Sequence, residues 1–354
     1  MLQCIIAMRI SEYYSHKIRV MNFIAIVFVV FIHSPYTEAV GHPLAISVQG
    51  AVTGSGLGLF AVPLFFAMSG LLFFKNVQRW NDCFPKIGKR INTLLVPYVL
   101  WNLVFVGWYA LMGLLPGLEQ YVNSNVFDQL CHARPLVALQ RLFIDPAGFH
   151  LWFLRDLMLY IILSPLLYIG IRRYAWLLFL LSVICLGWIP RQGFSYFVLG
   201  GIISVHYSLE NVEHWLNRKV SLVMFVLYLF NALAAALGLF CFQGVVYQYY
   251  LHIMGFVAIM AVWGVYDVMF SQCQSRFLLK SSPWMSYTFF IYLFHEPAFN
   301  IIKKLGLKML GVHDWSLIVL FIVNPFIMVG FAIGVGMAFK HCLPKVYALS
   351  VGGR

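Results

Sequence analysis

The sequence predicts an all-α fold, a polytopic transmembrane helical bundle of about ten spans. Three observations lead there. Charged residues make up only 10% of the chain, against roughly 25% in average soluble domains, so a water-facing surface cannot be covered. Hydrophobic residues make up 62% and the mean hydropathy is +0.85. Apolar runs reach about 20 residues, the length that crosses a bilayer as a helix. Lipid leaves only helices and closed barrels as spanning structures. Barrel strands would alternate apolar and polar residues over about ten positions, and these runs do not alternate.

The expected spans are 18–36, 51–74, 91–115, 150–170, 174–189, 195–209, 220–242, 248–270, 284–302 and 316–339. The first follows Lys17 and Arg19, carries a histidine near its end and lacks a small-residue cleavage site, so it reads as a retained helix rather than a signal peptide. The fifth and sixth are short. The two longest connections are 75–90, basic, and 116–149, mixed, with room for a short interfacial helix at 136–144. Residues 1–17 read as a cytoplasmic arm, 18–340 as one transmembrane domain and 341–354 as a cytoplasmic tail. No internal repeat and no inverted pair of broken helices, the sequence pointer to many transporters, is visible.

The net charge of +12 would suit a nucleic-acid partner, but its distribution follows topology. With the N-terminus inside, all Lys and Arg except Arg134, Arg141, Arg155, Arg191, Lys303, Lys304 and Lys308 fall in cytoplasmic segments. That is the positive-inside pattern, with both termini cytoplasmic, and no nucleic acid is needed to explain it. The 7 cysteines contain no Cys-x-x-Cys, and only Cys131 lies in a long outer connection, so a disulfide framework is not expected.

Ionisable residues at membrane depth are costly and are functional candidates by default. His33, in FVVFIHSPYT, lies roughly 22 Å along the first helix. His295 and Glu296, in SYTFFIYLFHEP, lie roughly 18 Å from the inner end of theirs. His150 opens HLWFLRDLMLYIILSP at the outer end of a helix running inward, with Arg155 and Asp156 inside it. The three histidines reach similar depth, though depth alone does not make them converge. A desolvated imidazole stays neutral at pH 7 and is then a competent general base. Each has a plainer explanation. A lone intramembrane histidine also serves as a hydrogen-bonding link between helices, and Arg155 and Asp156 can neutralise each other. His42, His132, His206, His214, His252, His313 and His341 are expected at interfaces or in loops.

Several familiar patterns fail. GSGLGLF follows no strand and lacks dinucleotide-turn spacing. Helix packing explains it better, as it does Gly330 and Gly334. There is no Gly-x-Ser-x-Gly elbow. His150 and Asp156 are too far apart for the His-x4-Asp of glycerolipid acyltransferases. No His, Cys and carboxylate set has metal-ligand spacing, so no metal is expected.

Five segments in order resemble the membrane acyltransferase-3 family, which includes bacterial O-acetyltransferases of surface polysaccharides. KIRVMNFIAIVFVVFIHS resembles its first helix with the characteristic histidine, VPLFFAMSGLLFFKN its second and KRINTLLVPYVLW its third. HLWFLRDLMLYIILSPLLY is similar to its His-Leu-Trp-Phe-Leu segment, and WMSYTFFIYLFHEP to its late Ser-x-x-x-Ile-Tyr-x-x-His segment. The resemblance covers nearly the whole chain. It departs at Asn22, where the family usually has a basic residue eleven positions before the first-helix histidine. Arg19, three residues earlier on nearly the same helical face, supplies a charge where members usually carry an acid.

The resemblance implies a multi-pass protein of the bacterial cytoplasmic (inner) membrane. It implies transfer of an acyl group, usually acetyl from acetyl-CoA, onto a hydroxyl of a surface glycan or its lipid-linked precursor. CoA is cytosolic and polyanionic. Lys17, Arg19, Lys86, Lys89 and Arg90, with Asn22 among them, form an inner rim suited to phosphates, although positive-inside topology alone also places bases there. The expected chemistry is base-assisted attack of the hydroxyl on the thioester, with His33 as the base and His150 or His295 orienting it or supporting charge. The competing expectations are a polysaccharide exporter of the same family and, because of Asn22, an inactive member.

Overall fold

The computed structural model of the protein describes residues 12–114, 136–137, 140, 143–185, 193–240, 243–270 and 282–353, and these are helical with no strand among them. The principal helices are α1 Glu12–Ile32, α2 Pro43–Val52, α3 Ala61–Phe74, α4 Cys83–Leu114, α5 Trp152–Ile162, α6 Ser164–Ile184, α7 Phe194–His206, α8 Leu209–Trp215, α9 Arg218–Ala236, α10 Gly244–Phe270, α11 Thr288–Leu310, α12 Asp314–Cys342 and α13 Pro344–Ser350. Among the described residues, α1, α6, α9, α10, α12 and the stretch Trp80–Met112 are long and apolar enough to cross a membrane.

Each expected span coincides with helix, with one reorganisation. The 51–74 segment is not one helix. α2 ends at Val52, a turn follows, and helix resumes at Ala61. The glycines of GSGLGLF make this reversal: a Cβ on Gly56 would collide with the Ala51 carbonyl, which accepts the Leu57 N–H at 2.8 Å. They therefore serve a turn rather than helix packing. Gly330 and Gly334 also have no packing role among the described residues, since a Cβ at either meets nothing within 4 Å. The close crossing lies elsewhere. A Cβ on Gly70 of α3 would run into Phe197 O, and one on Gly200 of α7 into Ala67 O. The two backbones touch there because neither helix has a side chain at the crossing.

α3 and α7 are 14 and 13 residues long, roughly 20 Å, short of a hydrocarbon core of about 30 Å. Short helices at that depth must be enclosed by protein. Accordingly α3 buries residues on all sides, including Pro63, Phe66, Phe73 and Phe74. α6 bends sharply at Tyr174, whose backbone is non-helical, and brings Leu178 within 3.0 Å of a Cβ built on Gly170. This is the expected boundary between the spans at 150–170 and 174–189.

The chain divides into two compact units. Met1–Cys83 with Ser164–Ile333 forms the first, and Phe84–Leu163 with Gly334–Arg354 the second. In the second, the segment expected as a free tail is built in. Tyr347, Ser350 and Val351 are buried, and Trp101 Nε1 of α4 donates to Ser350 O at 3.0 Å. In the first, the arm expected at 1–17 already belongs to α1 from Glu12, with Tyr14 and Lys17 buried. Of the interfacial helix expected at 136–144, residues 136, 137, 140 and 143 are described and helical, whereas Cys131, Arg134 and Arg191 lie outside the described residues.

Candidate functional site

α1 is a run of apolar residues that ends at Ile32 because Pro35 lies just beyond, and the residue preceding a proline is driven out of helical geometry. His33 occupies the turn that results. Its N–H still reaches back to Val29 O and Val30 O at 3.3 and 3.2 Å. The next residues are held from other elements. Ser34 Oγ donates to Phe321 O at 3.1 Å, Tyr36 N to Gln49 Oε1 at 3.2 Å, and Asn324 Nδ2 to the Tyr36 hydroxyl at 2.6 Å.

α11 has a similar interruption. Pro297 lies inside it, and Glu296 departs from helical geometry (φ −102°, ψ 142°). Proline offers no N–H to the preceding turn. His295, the last residue before the break, turns Nδ1 onto Tyr292 O at 2.8 Å and Ile291 O at 3.2 Å. Carbonyls only accept, so Nδ1 carries the proton in the neutral ring and Nε2 carries the lone pair. The backbone thus fixes the His295 tautomer.

The structure brings these two histidines together. The His33 and His295 rings lie 5.3 Å apart between centroids, inclined by 31°. His295 is fully buried and His33 half-buried, so His33 is the member within reach of a substrate. Buried Glu296 accepts from Asn300 Nδ2 at 2.8 Å. Lys303, expected only as an outer charge, reaches back from α11 to the end of α1. Its Nζ donates to Pro35 O at 2.5 Å and His33 O at 3.4 Å, and lies 5.0 Å from the centre of the Tyr36 ring.

His150 belongs to the second unit, in the turn leading into α5. It is 2% exposed and set edge-on against Phe105, 5.1 Å between centroids. Arg155 and Asp156 take the structural role: Arg155 Nε donates to Asp156 Oδ1 at 2.9 Å and Nη1 to Ile144 O at 2.6 Å. His252, expected at an interface, is instead buried between α7 and α10. Its Nε2 is 2.5 Å from Ser195 Oγ, and Tyr196 OH donates to its carbonyl at 2.7 Å. This is a polar link between helices of the kind membrane interiors use.

The basic rim divides. Lys17 is not offered to a ligand. It is fully buried, with Nζ 2.5 Å from Asp267 Oδ1 and 3.4 Å from Glu213 Oε1, over the Trp263 ring at 3.9 Å. A lysine this deep needs carboxylates to remain charged, and α8 and α10 supply them. On α1, Arg19 is exposed and Asn22 half-buried. In the second unit Lys89 is exposed while Lys86 and Arg90 are half-buried at the start of α4, with spacings that put them on one helical face. Among the described residues no group of His, Cys, Asp and Glu could hold a metal ion.

The acyltransferase domain family matches residues 15–340. The succinoglycan biosynthesis protein ExoH of Rhizobium meliloti (strain 1021) is 23% identical over 356 residues, covering 96% of this chain and 92% of that protein. No solved structure matches the chain. The family match takes in nearly the whole chain, and on that ground this multi-pass membrane protein belongs to the acyltransferase domain family.

Proposed function

We propose that the protein transfers an acyl group, acetyl in the simplest case, from cytosolic acyl-CoA to a hydroxyl of a surface polysaccharide or its lipid-linked precursor. The observation that carries this reading is the paired, oriented imidazoles of His33 and His295. The likeness to a succinoglycan biosynthesis protein supports a polysaccharide acceptor. The protein then sits in the inner membrane with both termini in the cytoplasm, as the charge asymmetry implies.

A centroid separation of 5.3 Å leaves room for facing imidazole nitrogens at about 3 Å, within hydrogen-bonding range. His295 Nε2 has only a lone pair to offer, and on this proposal the His33 ring turns to donate its N–H there when the acceptor binds. That leaves the other His33 nitrogen with its lone pair for the acceptor hydroxyl. His33 removes the hydroxyl proton as the oxygen attacks the thioester carbonyl. Collapse of the tetrahedral species expels the CoA thiolate, which takes up the proton. His295 orients the base and shares the charge that His33 acquires, which is the logic of an oriented general base. Charge-assisted hydrogen bonds from basic side chains bind the CoA phosphates, and in the unit that carries His33 the exposed Arg19 of α1 is the candidate.

Mass spectrometry of surface polysaccharide from cells with and without the protein tests the reading. The expected result is one acetyl group per modified residue that disappears when the protein is absent. Identical glycans in both strains would sink it.

A further inference from the structure

Lys303 is a half-buried cation to which neither the apolar pattern nor the family resemblance gives a role. Its geometry is specific. The ammonium stands at the C-terminal end of α1 and donates to the carbonyls of His33 and Pro35. The end of a helix leaves carbonyls without intrahelical donors. Here Pro35, having no N–H, deepens the deficit. A lysine at this pole satisfies such carbonyls and opposes the negative end of the helix dipole. The rings of Tyr36 and Phe299 lie 5.0 and 6.0 Å from the charge, within cation–π range. Asn324 fixes the Tyr36 hydroxyl from α12.

The consequence lies in where Lys303 is attached. It is eight residues beyond His295 on α11, across the break at Glu296. α11 therefore carries one imidazole directly and grips the backbone of the other. The turn is tied at its amides and at Ser34 and Tyr36 by other elements, and Lys303 adds a hold on the His33 carbonyl itself. We propose that Lys303 is a positioning residue for acyl transfer, holding His33 against His295 by its main-chain carbonyl. This rests on the His33–His295 reading above. Lys303 need not touch either substrate.

The test uses the full-length protein purified in detergent, with acetyl-CoA as donor and polysaccharide from the deletion strain as acceptor. Lys303→Met keeps the length of the stem and removes the donors. Lys303→Arg restores donors at similar reach. A displacement of about 1 Å at a reacting group costs on the order of 10²-fold. Lys303→Met is expected to lower kcat 10- to 100-fold with the KM for both substrates unchanged, by that same estimate. Lys303→Arg is expected to recover most of the loss, and both variants should elute as folded monodisperse protein. Three results would overturn the assignment. Wild-type kcat in Lys303→Met would show that the clamp is idle. A higher acceptor KM at unchanged kcat would make Lys303 a substrate ligand instead. Loss of folded protein in Lys303→Met, with Lys303→Arg folded but equally slow, would reduce the lysine to scaffold. Failure of the wider reading looks different, because there the wild type itself transfers no acetyl group.

Discussion

The two ends of α1 are each held by a lysine, fully buried at the beginning and half-buried at the far end, and the lysines do opposite things. At the beginning of the helix Lys17 belongs to α1 and is received by Asp267 and Glu213 of other helices. Tyr14 donates to Glu213 at 2.9 Å and Tyr13 to Asp267. The assembly closes on itself: a charge, its counter-charges and their hydrogen-bond donors. At the far end the lysine belongs to α11 and is received by α1 main-chain carbonyls, next to an imidazole pair with a half-buried member. A salt-bridged buried charge is a means of fixing a helix. The far cation donates to neutral carbonyls, with the Glu296 and Glu38 carboxylates in its field. Lys17 is the more deeply buried of the two, so depth and partners together distinguish scaffold from site.

The contrast fails if the far end proves to be scaffold too. His33→Gln is the strongest probe, because an amide retains hydrogen bonding but cannot take the proton. Transfer activity should fall by about 10²–10⁴-fold, the usual contribution of a general base, while the protein purifies folded. Near-normal transfer by His33→Gln would make His33 a structural link and move the base to His295. The converse is expected at the near end. Lys17→Met leaves two carboxylates facing a void, and breaking a buried pair costs about 3–5 kcal/mol. Asp267 and Glu213 keep 23% and 29% side-chain exposure, which places the loss at or below the low end of that range. Thermal unfolding in detergent should show it, with activity per folded molecule unchanged. A Lys17→Met variant as stable as wild type but defective in acetyl-CoA binding would return Lys17 to the donor site. The mildest change is Glu213→Gln. Its contact with Lys17 is long and partly solvated, so about 0–1 kcal/mol is expected, as for surface pairs. A larger drop in the unfolding midpoint than for Asp267→Asn would reverse the ranking of the two carboxylates.

Much of the fold was legible because its signals are local. A run such as VMNFIAIVFVVFI needs no partner to be read as a span, and Tyr174 breaks α6 at the boundary expected between 170 and 174. The glycines were misread because their effect depends on what approaches them. GSGLGLF makes a turn within one segment, whereas the helix crossing falls on Gly70 and Gly200, which have no pattern along the chain. In the same way His33 and His295 stood out as ionisable groups in apolar surroundings. Lys303 did not, since nothing near it in sequence says that its ammonium ends at Pro35.

The sequence by itself determined the solvent, the helical class, the order of the apolar segments, and which polar residues stand out within them. These follow from composition and periodicity, which are properties of short stretches. The tertiary structure alone decided that Lys17 is neutralised, that His252 pairs with Ser195 while His33 pairs with His295, and that the His295 proton sits on Nδ1. The ion pair and the two histidine pairings turn on a side chain meeting a group of another helix, and the His295 proton on its ring turning onto Tyr292 O one turn back. Hydrogen bonds and ion pairs act over about 3 Å, so the chain must fold before they exist.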